Sequence, residues 1–262
     1  MNALYRVLRK AGRNIILSIG GLNAKPSNGI HIITGHFAHR IQPNIEYMEH
    51  IMAELSPMVH FVRIETAVQM ITKHEQPNEP IVAFTFDDGF DDCYYYIAPV
   101  LERYGINAAF FVNPNFVEGN EEYIEWFTNV PMHNPGKRPM RWEQIKDLQK
   151  RGFIIGSHTM DHFLTASDDT IALEYQIVEC KKIIEEKLGT PCDYFAWPYG
   201  RLEQTNQKAV ELACKTYKNV FSQSNYRHYF SFNGRVINRR HFEPFWPISH
   251  VRYFLSKSIS YK

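Results

Sequence analysis

The sequence predicts an α/β fold: a single distorted or incomplete (β/α) barrel of about seven parallel strands. Three observations carry that expectation. Short apolar runs alternate with longer segments of helical period; no linker or repeat interrupts the 262 residues; and polar, chemistry-bearing residues follow directly on the ends of several apolar runs. Barrels of this length commonly form one domain.

In chain order, the expected strands are 30–34, 59–62, 81–86, 108–112, 153–156, 194–197 and 220–222, with 236–237 a weak further candidate. Each is a short run of β-branched, aromatic and other apolar residues. Helices fill the gaps. Ile45, Met48, Ile51, Met52 and Leu55 recur at helical spacing before Pro57, and Tyr96, Val100 and Leu101 lead to a stop at Gly105. Trp142, Ile145 and Leu148 end near Gly152. Ile171 to Leu188 forms the longest helix, closed by Gly189 and Pro191, and Val210, Leu212 and Ala213 mark another. Residues 113–138, with Tyr123, Trp126 and Phe127, form a longer excursion, read either as a functional loop or as a surface insertion with its own aromatic cluster.

Residues 1–28 read as a basic, amphipathic N-terminal extension and 29–262 as the catalytic domain. The extension carries Arg6, Arg9, Lys10 and Arg13 among Leu4, Tyr5, Val7 and Leu8, followed by the apolar patch Ile15–Ile19. That patch is far short of the ~20 residues of a membrane span and short of the roughly 7–15 of a signal-peptide apolar region. A cytoplasmic enzyme is therefore expected, its basic, amphipathic N-terminal segment read first as a packed helix, with peripheral contact to anionic lipid as the alternative.

Composition narrows the function. At 44% apolar and 22% charged residues the chain can bury a large core. A formal charge of +1, with no basic stripe interleaved with aromatics, speaks against a nucleic-acid partner. The 14% aromatic content serves core packing, a sugar groove, or both. Cys93, Cys180, Cys192 and Cys214 show no metal-type spacing and read as free thiols.

The chemistry is concentrated in Thr85-Phe86-Asp87-Asp88-Gly89 and in the pair His158 and His162. The two carboxylates follow an apolar run, where a strand ends and its loop begins. A carboxylate with two imidazoles can hold a divalent metal and leave a position for water, and a neighbouring carboxylate can take that water's proton. Each piece alone is an ordinary turn or surface feature. Their conjunction with Pro198-Tyr199-Gly200, each at a strand end, points to metal-assisted hydrolysis.

These segments resemble the polysaccharide deacetylase family, the NodB-like carbohydrate esterases. The family's T-F-D-D-G motif is matched by Thr85–Gly89, its H-[ST]-x-x-H motif by His158–His162, and its R-x-P-x-G motif by Ala196-Trp197-Pro198-Tyr199-Gly200. The resemblance extends over about residues 30–240 and in the third motif follows poly-N-acetylglucosamine deacetylase-like members. It implies the family's incomplete barrel and a divalent metal, most often Zn2+, with Co2+, Ni2+ or Mn2+ as substitutes. Asp88, His158 and His162 would be the metal ligands, Asp87 the general base, and the Tyr199 backbone N–H a donor to the tetrahedral oxyanion.

Two departures accompany it. The arginine that orients the family's base is Ala196 here, so Arg201, Arg235, Arg239 or Arg240 must take its place. The family's late histidine, general acid for the leaving amine, is not in its usual context; His241 is the candidate, with His228 and His250 behind it. His31, His36 and His39 surround the first strand, and His36 is expected to support the site by hydrogen bonding. The resemblance thus implies a hydrolase of non-peptide carbon–nitrogen bonds that removes the N-acetyl group of an amino sugar in a glycan, glycolipid or sugar precursor. An O-acetyl carbohydrate esterase, or a non-catalytic carbohydrate-binding protein on the same scaffold, are the alternatives, and the oligomeric state is left open.

Overall fold

Gly29–Gly35 (β1) and Pro80–Phe86 (β3) pair in parallel along their whole lengths, and the rest of the sheet grows outward from them. The computed structural model describes residues 3–39 and 44–261, with the backbone alone for 3–10. Ala108–Val112 (β4), Ile154–Ser157 (β5), Tyr194–Ala196 (β6) and Asn219–Ser222 (β7) follow β3 in order, every pairing parallel. His60–Phe61 (β2) adds to the start of β3. Val236–Asn238 (β9) runs parallel to β7, Phe230–Ser231 (β8) lies antiparallel on β9, and Arg240–His241 (β10) pairs with β1. The stretch 236–241 thus joins β7 by its first half and β1 by its second. It draws the two margins of the sheet toward each other, giving a curled, incompletely closed barrel.

The strands alternate as the pleat requires. Val82, Phe84, Phe86, Phe110 and Val112 face a large core shared with the surrounding helices. Ile81, Ala83, Ala109, Phe111, Ala196 and Phe221 fill the interior, where Ile64–Thr72 (α3) adds Ile64, Ala67, Val68 and Ile71. Burying each Phe contributes on the order of 1.5–3 kcal/mol. The outer helices include Glu46–Leu55 (α2), Ala98–Arg103 (α4), Trp142–Lys150 (α7), Cys180–Leu188 (α9) and Gln207–Thr216 (α10).

Among the described residues ten strands stand where about seven were expected. The unforeseen β8 and β10, like the shortened β2, have two residues each, too few for any period to register. The longest expected helix is interrupted: Thr170–Leu173 (α8) passes through a π-helical turn, Glu174–Glu179, before α9 ends at Gly189, whose φ of +68° suits glycine. The excursion after β4 folds as Pro114–Glu118 (α5) and Glu121–Asn129 (α6), with Phe116, Ile124 and Phe127 packed on Phe37 and Phe90.

Ala3–Gly21 (α1) lies against Ile248–Leu255 (α11). The helices approach so closely that a Cβ on Gly21 would stand 1.7 Å from the Ser249 carbonyl oxygen. Ser18 Oγ and His250 Nε2 are hydrogen-bonded at 3.0 Å, and Leu17 is buried. The side chains of Arg6, Arg9 and Lys10, on which the expected lipid contact partly rests, lie outside the described residues. No helix among the described residues is long and apolar enough to cross a membrane. All four cysteines are free.

Candidate active site

The carboxyl ends of β3, β5 and β6 bring the three sequence motifs together. Asp87 continues the ladder, its N–H donating to the Gly35 carbonyl at 2.9 Å. The chain then turns sharply, with φ of +71° at Asp88 and +70° at Gly89. Asp88 Oδ1 comes to 3.4 Å from His158 Nε2 and 3.5 Å from His162 Nε2. All three residues are buried, and Asp88 Oδ1 and His162 Nδ1 have no hydrogen-bond partner.

The orphaned Asp88 oxygen, facing both imidazole Nε2 atoms, calls for a ligand. Two donors about 2.1 Å from one tetrahedral zinc stand ~3.4 Å apart, matching the spacing here. One carboxylate oxygen and two imidazole nitrogens suit a borderline cation and leave a coordination position open. Burial pushes His162 down to about 4, so its ring is neutral and its lone pair available at neutral pH. Burial opposes charge on Asp88, but the neighbouring histidines hold its carboxyl below the ordinary value.

The surroundings fix these side chains. His158 Nδ1 donates to the Ala196 carbonyl at 2.7 Å, which orients Nε2 toward Asp88. Ala196 thus lacks the arginine side chain of the family pattern, but its backbone carbonyl orients His158. Asn113 donates to the carbonyls of His158 and Thr159. Buried Gln176, displayed by the π-helical turn, accepts from Met160 N–H at 3.0 Å and donates to Asp161 at 2.9 Å. Asp88, Thr159, His162 and Tyr199 all have positive φ (71°, 65°, 59° and 63°). Each such residue costs of order 1–3 kcal/mol, so the hydrogen bonds around them must over-determine the loop.

Asp87 is held differently. Arg239 donates from Nη1 to Oδ1 at 2.7 Å and from Nη2 to Oδ2 at 2.8 Å. The guanidinium also reaches Thr85 Oγ1 and the Ser222 carbonyl, and sits over the Phe111 ring at 5.0 Å. Of the four arginines proposed from sequence, Arg239 fills the role. It sits between β9 and β10, where the chain crosses the carboxyl ends of the barrel. Burial would raise the Asp87 carboxyl, but Arg239 and His158 hold it at about 2. Arg240 instead donates to the carbonyls of Tyr226, Phe254 and Lys257, a structural role.

A third cluster faces the same cavity. Glu243 accepts from His36 Nδ1 at 2.6 Å, from His36 backbone N–H at 3.1 Å and from His241 Nε2 at 3.0 Å. Although burial opposes it, Glu243 raises His36 to about 10, and the two histidines bring Glu243 down to about 2. His36 therefore carries a charge of its own, more than the hydrogen-bonding support expected of it. Glu243 had no motif to signal it. His241 joins the cluster, its ring edge-on to Trp246 at 4.8 Å.

The cavity has a volume of about 610 Å3 and is lined by Asp87, Asp88, His158, His162, His36, His241 and Glu243, with Arg239 behind its wall. Phe37, Tyr199, Phe245 and Trp246 add aromatic walls, and Tyr199 meets the His162 ring edge-on at 4.5 Å. Pro131 to Asn134, at the end of the excursion, also line it, so that segment both carries its own aromatic cluster and shapes the site. His250 stands at the cavity wall, whereas His228 pairs with Ser260 and is not among the lining residues. His31 is buried in β1 with Nε2 2.7 Å from the Ser27 carbonyl, and His39 lies beside Asp92 and Lys137; neither lines the cavity.

The sequence profile described as polysaccharide deacetylase matches residues 74–217. A Bacillus cereus protein named peptidoglycan-N-acetylglucosamine deacetylase is 30% identical over 115 residues, covering 44% of this chain and 44% of its own. Bacillus subtilis YxkH is 27% identical over 142 residues, 54% of this chain and 45% of its own. The chain thus spans less than half the length of these curated relatives. Among solved structures, IcaB from Ammonifex degensii aligns over 89% of this chain and 100% of its own, with TM-score 0.70 and 21% identity. The Streptococcus pyogenes deacetylase PplD aligns over 88% and 99%, with TM-score 0.68 and 17% identity. At these identities the structural likeness establishes the incomplete barrel fold.

Proposed function

The chain belongs to the polysaccharide deacetylase family, and from that premise we propose that it is a metal-dependent hydrolase removing the N-acetyl group of an amino sugar. One observation carries the reading. Asp87 and Asp88 are adjacent yet oppositely furnished: one is clamped by Arg239, the other turned with its oxygen unpaired toward His158 and His162. That is the separation a base and a ligand require.

Asp88, His158 and His162 would hold the metal, with zinc the best match to the donor set. Bound there, the ion supplies a polarised acyl carbonyl and a water acidified toward neutrality. Asp87, ionised at every working pH, takes the proton of the attacking water; the bidentate Arg239 contact fixes the direction of its free lone pairs. The oxygen of the tetrahedral species is held in part by the Tyr199 backbone N–H. The leaving amine needs a proton as its carbon–nitrogen bond breaks, and the His36–Glu243–His241 cluster supplies it. His36, kept charged by Glu243, is the better-furnished donor, and His241 shares the same carboxylate oxygen. Acetate and a protonated amine are the products.

The aromatic walls suit the apolar faces of a pyranose ring, and the name of the Bacillus cereus relative supports an N-acetylglucosamine-containing substrate. The free thiols support a reducing, cytoplasmic setting. The test is acetate release from a panel of N-acetylated and O-acetylated saccharides, before and after chelation and with Zn2+ restored. Metal-restored release from the N-acetylated members is expected. Release confined to O-acetylated members would make the protein an esterase, and no release from any would leave a binding protein.

A further inference from the structure

We propose that α1 is a membrane-docking helix whose exposed apolar face enters the interface of an anionic lipid bilayer and holds the cavity mouth against it. Ile15, Ile16, Ile19 and Leu22 are 58%, 62%, 74% and 65% exposed, although each is a strongly apolar side chain. Positions 15 and 19 lie on one stripe of the helix, with Ile16 beside it and Leu22 just past the helix end. A contiguous exposed stripe of this kind marks an interaction surface.

The rest of the helix is committed elsewhere. Leu17 is buried, Ser18 is bonded to His250, and Gly21 is pressed on Ser249, so α11 covers the other side and cannot cover this one. Charge selects the occupant. The helix carries Arg6, Arg9, Lys10 and Arg13 and neither Asp nor Glu, the composition of a helix lying in an anionic lipid interface. Pairing with a second copy would bring together two helices that carry only positive charges. Position adds meaning: Arg13 and Asn14 line the cavity, and the exposed Ile15 and Ile16 follow immediately. A saccharide carried on a lipid would then meet the site at the bilayer surface. That consequence rests on the deacetylase reading; the docking does not.

The experiment is co-sedimentation of the full chain with phosphatidylcholine vesicles, with and without phosphatidylglycerol. At least ~10-fold tighter binding to the anionic vesicles is expected, weakening with added salt. Ile16→Asp/Ile19→Asp should reduce it by ~10-fold or more at an unchanged unfolding temperature, since both side chains are exposed. Arg9→Glu/Lys10→Glu provides an independent variant with the same expected loss. Equal binding to both vesicle types, or binding that neither variant alters, would overturn the proposal. So would a dimer in solution that the isoleucine variant dissolves, because the face would then belong to a second copy. Binding is read without any reaction, so its failure is distinct from a failure of the deacetylase assay.

Discussion

The two sides of the cavity are built on opposite rules. On one, Asp88, His158 and His162 converge with buried atoms unpaired and with strained backbone at Asp88, Thr159 and His162. On the other, both Asp87 oxygens are taken by Arg239, and Glu243 accepts three hydrogen bonds from two histidines. In the proposed mechanism the unsatisfied side would receive a cation, and the satisfied side would be locked so that proton transfers occur at fixed atoms. On that proposal, adjacent carboxylates would take different roles because their environments differ.

Removing the Arg239 clamp should break this contrast most severely. Arg239→Met leaves Asp87 buried and unpaired, with an expected loss of ~3–5 kcal/mol in stability and a turnover loss on the order of 100-fold or more. Arg239→Met/Asp87→Asn should recover much of the stability but none of the turnover. Denaturant unfolding beside acetate release separates the two effects, and a single variant as stable as the wild type would show that Asp87 is not dependent on the arginine.

Glu243→Gln should act next in size and through pH. His36, raised to about 10 from 6.5, contributes stability that is complete below about pH 6.5 and is lost as pH climbs through 10. Glu243, lowered to about 2 from 4.5, contributes stability present above about pH 4.5 and lost as pH falls through 2. In the variant the His36 ring, followed by NMR, should titrate nearer 6.5, and turnover should fall as pH rises past neutrality. An unmoved His36 titration would remove Glu243 from the account. The smallest effect is expected from Gln176→Ala, which frees the Met160 N–H and loosens the histidine loop: ~1–2 kcal/mol of stability and weaker metal binding, with the Asp87 side untouched.

The asymmetry also explains what could be read from sequence. The unsatisfied side is local: Asp88 lies two residues past an apolar strand, and His158 and His162 are four apart, so short motifs reveal them. The satisfied side is assembled at long range. Arg239 is 152 residues from Asp87 and lies between two very short strands, so that only the way 236–241 spans both margins of the sheet singles it out from three other arginines. Glu243 is signalled by no spacing, and its effect on His36 depends on contact across 207 residues. The seven longer strands and most helices follow from periodicity. The π-helical turn does not, because its purpose is the placement of Gln176 beside a loop sixteen residues earlier.

Metal content after equilibrium dialysis against Zn2+, measured for the wild type, Asp87→Asn and Asp88→Asn alongside turnover, tests the division of labour directly. One equivalent is expected in the wild type and in Asp87→Asn, with turnover in the latter down by a factor on the order of 100–10,000, and loss of both metal and turnover in Asp88→Asn. Asp87→Asn losing the metal while Asp88→Asn retains it, or full turnover in Asp87→Asn, would contradict it.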